Sequence, residues 1–197
     1  MAQPAFYGTT PVGGVDPTQY YVVSASLTPE TPAPPFLPGQ MVMGNNGSEF
    51  VFVQASTSIS LGDFLAITTG ATANSLTSTN VQSSLGARIG MASAVIAGSV
   101  TYIPAGAYFW ATLRGMAQPG NLGTAITAPA GANIQLFTSA TAGAVTSVTT
   151  SSTLAAGLAG IECTSSVTPY FNLTWPRAVA VYSSAGGTLT VIANASF

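Results

Sequence analysis

Short apolar runs recur along the whole chain, and Gly, Pro, Ser or Asn bounds nearly all of them. Glu49-Phe50-Val51-Phe52-Val53 is one such run, and others lie at Phe64 to Thr68, Tyr108 to Leu113, Ile134 to Thr138, Ala178 to Tyr182 and Thr188 to Ile192. They are rich in β-branched and aromatic residues, which suit a pleated and half-buried surface. None sustains the period of an amphipathic helix. Short helical turns are expected only at Ser83 to Leu85 and Thr153 to Leu158. Gly44-Asn45-Asn46-Gly47 is a strong turn signal, because Asn and Gly tolerate positive φ. Many short strands with frequent turns predict an all-β fold, an antiparallel β-sandwich or β-barrel.

Residues 1–40 have a different texture. They hold eight of the thirteen prolines, including Thr31-Pro32-Ala33-Pro34-Pro35. Proline fixes φ and cannot donate to a sheet ladder, so this segment is expected to be extended. The chain therefore divides into an extended N-terminal arm over 1–40 and a β-domain over 41–197. The arm carries Phe6, Tyr7, Tyr20, Tyr21 and Phe36, more aromatics than a plain linker needs, and Tyr20 to Ser24 reads as a short strand. Two readings fit: a strap over its own domain, or an arm docked on a neighbouring chain. On the second reading the partner contacts are Phe6, Tyr7, Tyr20, Tyr21, Val22 and Phe36.

The chain also aligns with itself at an offset of 69 residues. Gly62 meets Gly131, Leu65 meets Ile134, Ile67 meets Leu136, and Ala71-Thr72-Ala73 meets Ala140-Thr141-Ala142. Leu76 with Val145 and Leu85 with Leu154 continue the match without a gap. Turn and apolar positions coincide, which predicts a duplicated β-hairpin unit.

Charge narrows the chemistry. Only Arg88, Arg114, Arg177, Asp16, Glu30, Glu49, Asp63 and Glu162 are charged, 4% of the chain, and there is no His or Lys. An ordinary domain has roughly a quarter of its residues charged. Half of this chain is instead Ala, Thr, Ser and Gly. Without His or Lys there is no imidazole base, P-loop lysine or Schiff base. No G-x-S-x-G elbow accompanies the many serines. The carboxylates are scattered, leaving a hydrolase built on Asp63 and Glu162 as a remote option. Cys163 is the sole thiol, so it forms no intramolecular disulfide and supports no zinc site. A calcium site of carbonyls with Asp63 or Glu49 has no Asp-rich loop behind it. The expectation is a non-enzyme without a cofactor.

Three arginines make no basic stripe, so no nucleic acid is expected as a partner. The charge-free stretch from Ile89 to Leu113 is long enough for a bilayer. Gly90, Gly98, Pro104 and Gly106 interrupt it, however, and Val100 to Ile103 and Tyr108 to Trp110 favour two strands across a Pro-Ala-Gly turn. No membrane span is expected. A surface so poor in charge lacks the usual protection against association, which points to a building block covered by copies of itself or by a partner.

Gly47 to Ala55, followed by Leu61-Gly62-Asp63-Phe64-Leu65-Ala66-Ile67, resembles the small virion proteins of tailed bacteriophages that decorate or cement capsids. Arg88 to Ala92, Tyr108 to Gly115 and Leu136 to Gly143 resemble later blocks of that family, so the likeness spans residues 47–180. It implies an all-β protein on the outer surface of an icosahedral head, often a homotrimer, bracing the major capsid protein. It implies localisation to the virion capsid surface after synthesis in the host cytoplasm. The Pro-rich start and Thr168 to Arg177 depart from the family pattern. The alternative is a phage fibre or spike module that binds a carbohydrate or receptor, with Trp110, Trp175 and tyrosines as an open platform; core packing of both tryptophans is the competing expectation.

With three basic residues there are few ion pairs to screen, so subunit association is expected to rest on apolar burial and backbone hydrogen bonds. Sedimentation at rising sodium chloride should leave any oligomer intact, and urea should dissociate it. Dissociation by salt alone would contradict this.

Overall fold

The computed structural model describes residues 15–23, 34–44, 47–77, 79–80, 88–92, 101–121, 136–146, 155–163, 170–182 and 189–190. The elements in these residues are all strands. In the first half they are β1 (Tyr20–Tyr21), β2 (Met41–Met43), β3 (Glu49–Ala55), β4 (Ile59–Ser60), β5 (Phe64–Ile67), β6 (Thr72–Ser75) and β7 (Arg88–Ala92). The second half supplies β8 (Tyr102–Ile103), β9 (Tyr108–Pro119), β10 (Leu136–Thr138), β11 (Val145–Thr146), β12 (Ala155–Cys163), β13 (Tyr170–Tyr182) and β14 (Leu189–Thr190).

Five strands close a barrel in the order β3-β6-β5-β7-β9 and back to β3. All its pairings are antiparallel except β3 with β6, which run parallel with Gln54 opposite Thr72. Strand β9 also leaves the barrel: its far end pairs with β13, placing Gln118 opposite Phe171. There it begins a second sheet, β9-β13-β12-β10-β11, with β14 on β13. One strand of 12 residues therefore belongs to both halves.

Alternation of side chains explains how the pieces stick. Val51, Val53, Leu65, Ile67, Phe109, Ala111 and Leu113 point inward and fill the barrel, together with Ala55, Ala73 and Ala92. A five-stranded barrel is narrow, so alanine is the size that fits between the larger side chains. On the outside of β5 and β7, Phe64, Ala66, Ile89 and Met91 pack against Leu136, Val145, Leu158, Ile161, Phe171 and Leu173 of the second sheet. Phe64 meets Phe171 edge-on, with ring centroids 5.0 Å apart. Outside β3 and β9, Phe50, Phe52 and Trp110 form a third cluster. Strand β3 is thus buried on both faces, which explains its uninterrupted apolar run.

The third cluster is roofed by the N-terminal part of the chain. Strand β1 pairs with β9, Tyr20 opposite Phe109 and Tyr21 opposite Tyr108. Phe36 lies 5.1 Å from Trp110 and 5.3 Å from Phe52, centroid to centroid, and Tyr21 lies 5.9 Å from Phe52. The strand anticipated over Tyr20 to Ser24 covers two residues; Val22 and Val23 are outside it, and Ser24 lies outside the described residues.

The remaining sequence expectations divide cleanly. The Gly44 to Gly47 turn joins β2 to β3, with Gly47 at φ 76°; Asn45 and Asn46 lie outside the described residues. The Pro104-Ala105-Gly106 turn links β8 to β9, with Ala107 N–H donating to Pro104 C=O at 3.1 Å. The helical turn expected at Thr153 to Leu158 is corrected: Ala155 to Leu158 run in β12, where β13 and β10 satisfy the backbone. Ser83 to Leu85 lie outside the described residues. Both halves of the internal alignment are hairpins, β5-β6 and β10-β11, but their registers differ. Ile67 faces Ala73 in the first, whereas Thr138 faces Val145 in the second, across a longer turn. The ungapped match also pairs Ile67, inside the barrel, with Leu136, outside it. Small-residue text aligned where geometry does not. Among the described residues no helix is long and apolar enough to cross a membrane.

Burial, and to a lesser degree the nearby Asp16 carboxylate, raises the Tyr21 phenol above its usual value of 10.0. Folding thus favours the protonated phenol, and this contribution is complete below about pH 10 and lost as pH rises through the folded-state value. Urea midpoints measured upward from pH 9 should fall less steeply in Tyr21→Phe than in the parent chain. Parallel curves would show that Tyr21 titrates as freely folded as unfolded.

Candidate functional site

The Asp63 carboxylate, only 4% exposed, is a densely bonded polar group. One oxygen, Oδ2, accepts from Ser60 N–H at 3.1 Å and from Ser75 Oγ at 2.7 Å. The other, Oδ1, accepts from Asn121 Nδ2 at 2.7 Å. Backbone bonds surround it: Phe64 N–H donates to Gly143 C=O, Gly143 N–H to Leu76 C=O, Asn121 N–H to Gly62 C=O, and Val145 N–H to Asn121 C=O. Gly143 sits at φ +76°, so close that a Cβ there would overlap the carboxyl group. The geometry satisfies a buried charge from several directions, as burial demands. It joins the β4-β5 turn, β6, the segment after β9 and the β10-β11 turn. This is a structural junction between barrel and second sheet, with its donors directed at the carboxylate rather than at a substrate.

A second polar feature lies at the start of β3. Glu49 is 7% exposed and its Oε1 pairs with Arg114 Nη1 at 3.6 Å. Its other oxygen, Oε2, is buried without a hydrogen-bond partner, as is Trp110 Nε1. In the first feature the Ser75 hydroxyl meets the Asp63 carboxylate, but that carboxylate is buried and also bonded to Ser60 and Asn121. Among the described residues no three His, Cys, Asp or Glu side chains gather as a metal site.

What the surface does offer is apolar. Among the described residues, Val22, Leu37, Met41, Met43 and Tyr102 are the large hydrophobic side chains left exposed. Leu37, Met41 and Met43 fall within seven residues, on the turn leading into β2 and on β2 itself. Strand β2 pairs with β3 on one side, and no described strand pairs with its other edge. Beside it a cleft of about 230 Å³ opens, lined by Gly39, Val51, Ile67, Thr68, Ala71 and Arg88 among others. Arg88 Nη1 lies 3.2 Å from Met41 Sδ at this margin.

Of the contacts expected for the arm, Tyr20 packs on the barrel interior cluster, and Tyr21 and Phe36 on the Phe52–Trp110 cluster of their own chain. Val22 is 66% exposed. Phe6 and Tyr7 lie outside the described residues. Trp110 is 1% exposed and therefore forms no open platform for a sugar. Trp175 stands in β13 and Glu162 in β12 opposite Asn172. Asp63 was singled out from the sequence as a carboxylate; its role as a junction was not, because Asn121, Ser75 and Gly143 are remote from it in sequence. The β2 edge was missed as well, since Met41-Val42-Met43 is too short to stand out by pattern.

No protein-family model, curated protein or solved structure matches this chain.

Replacing Asp63 with Ala takes the acceptor from the Ser75 hydroxyl and the Ser60 N–H, and leaves the Asn121 amide only its bond to Leu61 C=O. Hydrogen bonds to a charged group contribute about 1.5–3 kcal/mol each, so urea unfolding should register a loss of at least about 3 kcal/mol. Gly143→Ala should also destabilise, through overlap with the same carboxyl and strain at positive φ. A stable Asp63→Ala variant would remove the junction from this account.

Proposed function

We propose that this chain is a virion structural protein: a capsid decoration or cement protein on the outer surface of a tailed-bacteriophage head, bracing the lattice of major capsid protein. It acts as a homo-oligomer, of which the trimer is the form the family resemblance implies, and it performs no catalysis. The observation that carries the reading is the combination of a charge-poor all-β body with large apolar side chains left exposed around an open sheet edge. Such a surface gains from being covered, and shallow apolar contacts repeated over a lattice add up through valency. Because Tyr21 and Phe36 are engaged on their own barrel, contact of the arm with a neighbour falls to Val22, Phe6 and Tyr7.

An antibody raised against the purified chain tests this directly. In a density gradient of phage particles from the source lysate, the chain should band with filled heads, and gold-labelled antibody should mark their outer surface. Recovery of the chain only as free protein, or labelling confined to fibres, would refute the reading.

A further inference from the structure

The parallel seam of the barrel is short. Strands β3 and β6 share only the pairs Gln54 with Thr72 and Ala55 with Ala73. Beyond them the two strands part. Strand β3 continues back to Glu49 with β2 along its edge, while the chain ahead of β6 turns through Thr68 to Ala71 from β5. The gap is the cleft of about 230 Å³. Its floor is the inward side of the barrel, where Val51 and Ile67 are almost fully buried. Barrel mouths are among the usual places for small-ligand sites.

The rim is built with strain. Gly39 and Ala71 both have positive φ, +87° and 56°, and Ala71 is the sole non-glycine residue there among the described residues. Gly70, which would adopt this conformation freely, stands one residue earlier. Such strain persists where the surroundings over-determine it, ligand clamps among them. Arg88 supplies the one charge among the lining residues. It is half-buried, with Nη1 3.2 Å from Met41 Sδ. A thioether is a weak acceptor for a charged donor, and a guanidinium has five donors, so Arg88 can meet an anion alongside the bonds it already makes.

We propose that this cleft binds a small aliphatic carboxylate, its alkyl body on Val51 and Ile67 and its carboxylate at Arg88 on the rim. A single cation matches a single negative charge, whereas a cationic ligand would be repelled. The volume of about 230 Å³ is below the ~300–1,000 Å³ of sites for drug-sized ligands, so the body is about as large as an amino-acid side chain. A free branched-chain acid and the C-terminus of a peptide ending in an aliphatic residue share this chemistry.

Methyl NMR spectra of the full-length chain, titrated with isovalerate, test this. The signals of Val51, Ile67 and Ala71 should shift together and saturate, with a Kd of about 1–10 mM for so small a ligand. Isovaleramide has the same shape without the charge and should bind at least about tenfold more weakly. Arg88→Gln should weaken isovalerate binding by a similar factor. Thr69→Trp, on the exposed turn, should cover the mouth and abolish binding, and it decides the matter if the Arg88 variant does not fold. Saturation by N-acetylated glycyl-valine as well would assign a chain terminus, and saturation by isovalerate alone a free acid. No saturable shift of these methyls with either carboxylate up to about 100 mM, or equal binding of the acid and the amide, would overturn the proposal. Either result leaves the virion reading to its own test.

Discussion

One buried carboxylate lies where the barrel and the second sheet meet. Asp63 sits at the only place where the β4-β5 turn, β6, the segment after β9 and the β10-β11 turn converge among the described residues, and a donor from three of these reaches its two oxygens. A charge buried without partners would be expelled or neutralised. Here the surrounding turns can adopt their paths because the charge aligns them. Gly143 completes the arrangement by leaving out the Cβ that would collide with the carboxyl. Phe64, the next residue, then places its ring against Phe171 of the second sheet. Polar junction and apolar interface are adjacent links of one chain.

Two-sided burial follows from this layout and accounts for the unusual composition. β3, β5 and β7 are lined with core on both faces, so the usual outward row of charged residues has nowhere to stand. A narrow barrel asks for Ala among its larger side chains, and turns ask for Gly, Ser and Asn. The barrel strands also carry Arg88 and Arg114, both half-buried, whereas the carboxylates of its strands and turns, Glu49 and Asp63, are almost fully buried. Among the described residues, what remains exposed is largely neutral and includes the apolar side chains of Val22, Leu37, Met41, Met43 and Tyr102.

Much of the fold was legible in the sequence, and the illegible parts share a cause. β3, β5, β8 and the first half of β9 announce themselves through local apolar runs and flanking turn residues. β6, with the sequence Thr-Ala-Asn-Ser, has no strand signal of its own; pairing with β3 and β5 overrides propensity, as tertiary context does in sheets. Ala155 to Leu158 reads as helix by composition and is a strand because β13 lies alongside. β13 itself contains Pro176, which falls in an irregular stretch where Ala159 faces Arg177 and Ile161 faces Leu173. A bulge tolerates the missing N–H there. The self-alignment misled because Ala, Thr and Ser match easily while register does not follow composition. Contacts between residues 58 or more positions apart, such as Asn121 with Asp63, leave no local trace at all.

If Asp63 makes barrel and second sheet a single cooperative body, native-state hydrogen exchange is the most direct measurement of it. The amides of Phe64, Asn121, Gly143 and Val145 bond across the junction, whereas those of Gln54 and Ala55 bond within the barrel and its loops. The account predicts one opening free energy shared by all six, equal to that of global unfolding. Exchange of the junction amides through a cheaper opening, with Gln54 and Ala55 still protected, would contradict it.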